Sequence, residues 1–503
     1  MKHFIASLTL LLILAGGCSL FNQAGTLEVL EKTVSVQINE TAEIHVTAEK
    51  RPGRAEGITI LECDECVNAE VTSENLITVE GLSYGEGTVT IQSDSGVSKE
   101  VLVRVYDPMA LMFKGLSVRF TDQFTWIWDD SGSGADDNGS FWMPAAPEGY
   151  YPLGSCGVSG WGDPSGTKAA VVVKDIDGTG VLSPPEDYVK IWDDSGSGAD
   201  DNCSVWKPVP PEGYVALGVV AQLGYTKPDT DLIRCVKSEY TATGKVGSWV
   251  WDDSGSGGSY DFSAFRVEAP DAPNSPGYAY LVPETIIGVN SYTKPSSHEV
   301  CNVLNIKLPL VTDLNDSAYA PVLESYDEPE KYTDTYLAKV VAVPFTLVVD
   351  DSYSLHEKVT EFPIYRIRRE EYYTNQYFYN NRYGSTPITH TVTDTVGISE
   401  TESETYSVNV GLKITTESGC ELIGGTVTVE LSFEFGYETT SSYTVFQENE
   451  VSQEVEIAPN TAGCLWQKTT RFTLMRNKNS WEDVAGSNKV ITIDSFVKGE
   501  YPN

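Results

Sequence analysis

Trp128-Asp129-Asp130-Ser131-Gly132-Ser133-Gly134 occurs three times in this chain: it returns as Trp192-Asp193-Asp194-Ser195-Gly196-Ser197-Gly198 and as Trp251-Asp252-Asp253-Ser254-Gly255-Ser256-Gly257. Ten residues after each Trp stands an Asn or Asp (Asn138, Asn202, Asp261), twelve after it a Ser (Ser140, Ser204, Ser263), fourteen after it an aromatic (Trp142, Trp206, Phe265). Copies one and two run on to Pro-Glu-Gly-Tyr (Pro147 to Tyr150, Pro211 to Tyr214) and Leu-Gly (Leu153-Gly154, Leu217-Gly218), and copy three keeps Gly277-Tyr278. The copies lie 64 residues apart (128 to 192) and 59 apart (192 to 251), so one supersecondary unit is used three times. Each Asp/Gly loop is followed by a pattern of strand, Pro-rich turn, strand. A unit of this size cannot bury its apolar face alone, so the copies must share a core. The economical closed solution over 107–310 is a threefold β-prism with one sheet per repeat and Trp142, Trp206 and Phe265 pointing inward as the repeat core.

The remainder of the 503 residues has the same texture. Forty-one per cent hydrophobic residues argue for folded domains, and 27 Tyr, 16 Phe and 10 Trp beside 43 Gly and 25 Pro suggest short strands joined by turns. An all-β protein of several domains is expected. Its formal charge of −38 excludes a nucleic-acid partner, because phosphate backbones are held by clustered Lys and Arg. Cations, neutral glycans, surface proteins and membranes other than bare anionic ones remain as partners.

At the N-terminus Lys2 and His3 precede an apolar run from Phe4 to Leu14, and Ala15-Gly16-Gly17-Cys18 puts small residues before a Cys. That is a signal-peptide pattern. It resembles a bacterial lipoprotein signal (1–18), which implies that Cys18 becomes the acylated first residue of the mature protein. The protein is then anchored in its own membrane, in the bacterial cell envelope facing outside the cytoplasm, on the outer membrane if the cell is Gram-negative. Lipidation through several acyl chains gives firm anchoring, and no other stretch approaches the roughly 18 apolar residues of a membrane-spanning helix.

Residues 19–106 read as a short tether and a β-sandwich, from period-two runs such as Val34-Ser35-Val36-Gln37-Ile38, Thr88-Val89-Thr90-Ile91 and Val101-Leu102-Val103-Arg104-Val105. The passage Gly85-Glu86-Gly87-Thr88-Val89-Thr90-Ile91 resembles the end of a bacterial immunoglobulin-like domain of the group 2 type, which implies a spacer. Eight cysteines follow Cys18, and the sequence does not choose a connectivity for them. Cys63 and Cys66 form a lone C-x-x-C, read as a local bridge or two free thiols.

The repeat phrase, with Ser204-Val205-Trp206-Lys207-Pro208, Gly224-Tyr225-Thr226-Lys227-Pro228 and Arg234-Cys235-Val236, resembles the vacuolar protein sorting-associated protein 62 family. That resemblance implies tandem β-prism-like repeats. It extends to Glu361 through Arg369, within a connecting β region at 311–390. There Arg366, Arg368 and Arg369 are expected to pair with nearby carboxylates across a domain junction. Residues 391–503 carry long Ser/Thr-rich alternation and resemble the elongated antiparallel module of aerolysin-type pore-forming proteins.

Chemistry has few places to reside. The loops put Asp129, Asp130, Asp136, Asp193, Asp194, Asp200, Asp252 and Asp253 beside flexible glycines, a supply of hard oxygen ligands for calcium. The same residues suit plain turns, or direct polar contact with a glycan or headgroup. Four scattered His residues after the signal, with no His-Glu-x-x-His and no Gly-x-Ser-x-Gly, argue against an enzyme. Val408, Val410, Leu412 and Ile414 share one face of a first arm, and Val427, Val429, Leu431 and Phe433 one face of a second. Two alternating arms of ~8–10 residues fit a membrane hairpin in a barrel wall, and they equally fit a half-buried soluble hairpin. The leading expectation is therefore a lipid-anchored protein with a surface-recognition prism and a pore-forming module, homo-oligomeric in the pore. The alternatives are a binding lipoprotein without pore activity and a carboxylate-dependent glycosidase, which leaves no linear motif.

Overall fold

The computed structural model describes residues 25–502 apart from 83–84, 177, 272–277, 315–319, 349, 351, 397–412, 416–418, 422–448, 479 and 486–488. The fold is all-β. Each repeat forms two small antiparallel sheets, not the single sheet expected. In the second repeat Asp187–Asp193, Cys203–Val209 and Val220–Leu223 make one sheet, while Leu182–Ser183, Cys235–Lys237 and Tyr214–Val215 make the other. The Pro-rich turn explains the split. Tyr214 N donates back to Pro211 O, a turn that ends the preceding strand and swings the chain onto the second sheet before it returns.

Within the motif sheets a register shift of one residue precedes every motif Trp: between Trp126 and Trp128, Lys190 and Trp192, and Trp249 and Trp251. The extra residue turns Trp128, paired with Phe141, to the face opposite Trp126, paired with Trp142. Trp128, Trp192 and Trp251 thereby converge on a pseudo-threefold axis, each 1–2 % exposed, with ring centroids 5.5 to 5.9 Å apart and planes at 70–75°. Trp142, Trp206 and Phe265 are buried as well, but in three separate clusters. Trp142 packs with Phe124 and Cys156, Trp206 with Tyr188 and Ile233, and Phe265 in the large core below the axis. The bulge decides the face, and the expected common core of these three aromatics gives way to the motif tryptophans.

Two closed circuits of hydrogen bonds surround the axis. Asp200 N donates to Ser131 O (2.8 Å), Ser259 N to Ser195 O (2.9 Å) and Asp136 N to Ser254 O (2.8 Å), so each loop is tied to the next. At the other level Ser155 N donates to Val219 O (2.9 Å), Val219 N to Ile286 O (3.0 Å) and Ile286 N to Ser155 O (3.1 Å). Beside this second circuit Gly154 and Gly218 of the first two copies meet Thr285 of the third. A Cβ on Gly218 would stand 2.5 Å from Thr285 Cβ. Only one of the three copies can carry a side chain here, which accounts for Leu-Gly in two copies and Glu284-Thr285 in the third.

The immunoglobulin-like unit packs two sheets over Val36, Ile44, Val46, Ile77, Val89 and Val103. Its strand Glu31–Gln37 pairs in parallel with Ser98–Tyr106 and, on its other side, antiparallel with Leu310–Leu314. Through that join the sandwich sheet continues into the strands Tyr336–Pro344, Ile364–Asn380 and Ala462–Asn477, giving a ten-stranded sheet among the described residues. Leu310–Leu314 also runs across the boundary expected at 310. The strand Tyr336–Pro344 ends at a 3-10 turn, Phe345–Leu347, that carries Phe345 onto Phe120 of the prism. A short helix Leu355–Glu361, opened by a capping box of Ser354 and Glu357, sets His356 Nδ1 2.7 Å from the buried Asp122. Of the three arginines, Arg368 meets Asp483 of the following unit, as expected, and also Glu370 of its own strand, while Arg369 meets Glu371 of its own strand rather than an acid across the junction. Arg366 meets no carboxylate among the described residues; it lies over the Trp481 and Tyr106 rings instead.

Gly218→Ala should lower stability by about 1–3 kcal/mol through the axial clash. Thr285→Gly in the same chain should recover part of that loss. Denaturant unfolding of the two single variants and the double variant checks this, and equal costs in both backgrounds would place the clash elsewhere.

Candidate functional site

The loops at the tryptophan end of the prism are built by the two aspartates of each motif. The first aspartate folds its own turn: Asp129 Oδ1 accepts from Ser131 N (3.1 Å) and Oγ, Asp193 Oδ1 from Ser195 N (3.2 Å) and Oγ, Asp252 Oδ1 from Ser254 N (3.2 Å) and Oγ. The second closes the loop across nine residues, with Asp130 accepting from Gly139 N, Asp194 from Cys203 N and Asp253 from Phe262 N, at 2.8 to 3.0 Å. Gly132, Gly196 and Gly255, at φ of 79°, 90° and 81°, face the neighbouring loop, and a Cβ on Gly132 would strike Asp200 at 2.7 Å.

These carboxylates are therefore occupied by their own loops. No group of three or more His, Cys, Asp or Glu among the described residues is placed to hold a metal ion. Asp136 and Asp200, also named as candidate calcium ligands, contribute their backbone N–H to the circuit and leave their side chains exposed. That is why copy three can replace Asp200-Asp201 by Ser259-Tyr260 and keep the same bonds. The indole of Trp128 donates to Asp201 O (2.7 Å), that of Trp192 to Tyr260 O (3.2 Å) and that of Trp251 to Asp137 O (2.9 Å).

Asp253 Oδ2 accepts from the motif Trp192 Nε1 (3.0 Å), and other remaining acceptor capacity of the aspartates is taken by residues that the motif itself does not contain. Asp129 Oδ2 accepts from Trp126 Nε1 (3.1 Å), Asp193 Oδ2 from Lys190 Nζ (2.6 Å) and Asp252 Oδ2 from Trp249 Nε1 (2.9 Å). Of the second aspartates, Asp130 accepts from Trp161 Nε1, while the Tyr225 hydroxyl, beside Asp194, donates to Asn202 Oδ1 (3.0 Å) and Tyr292 lies beside Asp253. All five of these aromatics are 39–49 % exposed, while Asp130, Asp194 and Asp253 are each 3 % exposed. Offset +12 is explained by the same feature, and at +10 the Asn202 side chain accepts from Tyr225 Oη (3.0 Å). Gly160 N and Gly224 N donate to Asn138 O and Asn202 O, and Ser140 Oγ and Ser204 Oγ donate to Gly160 O (2.7 Å) and Gly224 O (2.6 Å). These bonds fix the residue just before Trp161 and Tyr225. The sequence carried a signal for this pair, since both stand 33 residues after their motif Trp.

Burial raises the carboxyls of Asp194 and Asp253 above the usual carboxylate range, against the bonds that Cys203 N and Phe262 N donate. Burial, followed by the bond to Asp194, pushes the Tyr225 hydroxyl up to about 12. The five repeat-associated and C-terminal thiols Cys156, Cys203, Cys235, Cys301 and Cys464 are free and buried, and Cys63 and Cys66 are free. Burial holds the Cys156 thiol up at about 12, so it behaves as a small apolar group at neutral pH.

The C-terminal module presents a second feature. Ile388–Val396 and Asn449–Ile457 form a two-stranded antiparallel ribbon, with Ile388 opposite Ile457 and Val396 opposite Asn449. Val408, Val410, Leu412, Val427, Val429, Leu431 and Phe433 lie outside the described residues. Ile414 lies in Lys413–Thr415, paired antiparallel with Gly419–Glu421, so that Ile414 stands opposite Cys420.

Residues 165–272 match the sequence model of the vacuolar protein sorting-associated protein 62 family, from the end of the first repeat through the motif of the third. No curated protein matches the chain. Among solved structures, GNIP1Aa from Chromobacterium piscinae is 28% identical over 39% of this chain and 35% of its own, with a TM-score of 0.31. The chain thus spans about a third of the length of that protein. Cry35Ab1 is 12% identical over 78% of this chain and 91% of its own, at a TM-score of 0.31. The oligomeric pore-forming toxin pro-Monalysin is 11% identical over 35% of this chain and 72% of its own, at 0.18.

The raised Asp194 carboxyl fixes the sign of a pH effect. Its folded form holds a proton more tightly than the unfolded chain, so its contribution favours the fold at mildly acidic pH and fades as pH rises through the folded value. Asp194→Asn should remove that increment. The difference in stability between wild type and variant, followed from neutral pH down to about pH 4, should shift toward wild type, and a flat difference would refute the burial reading.

Proposed function

We propose that the protein is an exported envelope lipoprotein, anchored through Cys18, whose prism engages a target surface and whose C-terminal module assembles into a β-barrel pore. The observation that carries this reading is the Ile388–Val396 and Asn449–Ile457 ribbon. Among the described residues it pairs with none of the strands of the ten-stranded sheet, and its ends, Val396 and Asn449, bracket the two alternating arms in the sequence. In a barrel wall the apolar set of each arm would meet lipid, and Lys413 and Glu430 would face the lumen.

The prism supplies recognition through its outward aromatics. An indole or phenol ring whose polar tip is tied to a buried aspartate loses little further entropy on binding and presents a fixed apolar face. Repeated around an axis, such rings engage a surface carrying several copies of one target, where multivalency multiplies weak single contacts. The lipid signal favours a second reading, a binding lipoprotein held on its own cell, in which the C-terminal strands are a stalk. No enzymatic step is part of either reading.

Unlipidated protein should release dye from liposomes carrying the target, before or after protease treatment. A polarity-sensitive dye at Leu412 or Leu431 should turn apolar on adding membranes, while one at Lys413 or Glu430 stays wet. Equal responses at all four positions, or none in any membrane, would leave the binding lipoprotein. Separately, Trp161→Ala combined with Tyr225→Ala should weaken attachment to target cells by about tenfold or more, as for paired aromatic anchors, without lowering the melting temperature appreciably.

A further inference from the structure

A cavity of about 660 Å³ lies where the immunoglobulin-like sandwich, the first repeat and the C-terminal sheet meet. Its volume falls in the range of small-molecule sites, which occur preferentially at domain junctions. The charge of its walls runs against the rest of the chain. Five basic residues (Arg104, Lys114, Lys307, Arg366, Lys478) and three acidic ones (Glu40, Glu86, Glu361) line it, in a protein with 34 Lys and Arg against 72 Asp and Glu.

Two of those cations are answered by protein carboxylates: Arg104 by Glu86 at 2.7 Å, and Lys478 by Glu357 and Glu361 at 3.8 and 3.6 Å. Arg366 is different. Its guanidinium carbon lies 3.8 Å from the Trp481 ring centre and 5.1 Å from that of Tyr106, and it donates one hydrogen bond, to Tyr106 Oη. No carboxylate among the described residues comes within ion-pair distance of it. A guanidinium has five N–H donors and remains charged inside proteins, so a half-buried one with donors to spare can take an anionic ligand. Desolvation lowers its proton affinity, and the Tyr106 hydroxyl and the more distant charge of Glu40 offset part of that loss. The Trp481 and Tyr106 rings restrict the planar fork, whose N–H groups other than the one given to Tyr106 Oη are donors of the kind a carboxylate accepts from. Met109, Met112 and Phe113 supply a deformable apolar wall in the same cavity.

We propose that this cavity binds a medium-chain organic monocarboxylate, its carboxylate on Arg366 and its apolar body against Met109, Met112 and Phe113. Walls drawn from three units make the ligand a brace for their junction. Binding would therefore raise the melting temperature as ligand concentration rises. The inference does not depend on whether pores form.

Decanoate titrated into the full chain, followed by calorimetry and thermal shift, tests it, with decanol and inorganic phosphate as matched probes. Decanoate should bind at one site and raise the melting temperature, with decanol weaker by about tenfold for want of a charge-assisted bond and phosphate without effect. Arg366→Gln should weaken decanoate by about tenfold and leave decanol unchanged. Met112→Trp, which fills the cavity from a half-buried position, should abolish binding of both while the far-ultraviolet dichroism stays that of the wild type. If Arg366→Gln fails to fold, the Met112→Trp result decides. Equal binding of decanoate and decanol, competition by phosphate, no binding at millimolar decanoate, or full binding by Met112→Trp would each overturn the assignment.

Discussion

Three buried indoles on one axis set the terms for the prism. A fully buried Trp must find an acceptor for its N–H, and here each finds it in the loop of the next repeat: Trp128 in Asp201, Trp192 in Tyr260, Trp251 in Asp137. The arrangement is cyclic, so no repeat satisfies its own tryptophan. Removing one copy would leave one donor and one carbonyl without partners and would open both backbone circuits. The recurrence of the motif follows from that constraint. First aspartate, Ser and Gly form the turn, second aspartate closes it, and the loop so fixed carries the acceptor that the neighbouring Trp needs.

Much of this was legible in the sequence, because offsets repeated three times report bonds that recur three times. The all-β class, the three linked units and the buried state of the +14 aromatics follow from pattern alone. The face those aromatics occupy does not. Period-two counting assumes an unbroken ladder, and a single bulged residue before Trp128, Trp192 and Trp251 reverses the outcome. The loop acids misdirect for a related reason. Oxygen-rich composition is shared by cation cages and by tight turns, and only the coordinates show that Asp130 and Asp194 are committed to backbone N–H groups.

The join between the first and last modules left no local signal at all. Glu31–Gln37 is an ordinary alternating strand, and nothing in its side chains announces that Leu310–Leu314 will pair with it nearly 280 residues later. Its consequence is structural continuity: the immunoglobulin-like sheet, described by its sequence as a spacer, is hydrogen-bonded into the same sheet as Ile364–Asn380 and Ala462–Asn477. The arginine triplet shows the same limit at one position. Arg368 and Arg369 find acids two residues along their own strand where pairing across a junction was expected, and the aromatic setting of Arg366 comes from Tyr106 and Trp481, both distant in sequence.

The charge of the chain then bears on the recognition role proposed for the prism. A net charge of −38 repels anionic surfaces at long range, and the loop carboxylates that might have coordinated a bridging cation are bonded within their loops. What the prism offers at short range is a set of flat rings, Trp126, Trp161, Tyr225, Trp249 and Tyr292, clipped at their polar edges and open on their faces. Contacts of that kind favour neutral apolar or stacking partners over charged ones. Lys190 takes the place of an aromatic in the second repeat, so the three faces share a frame without being identical, and a target that engages all three must tolerate one cationic contact among the rings.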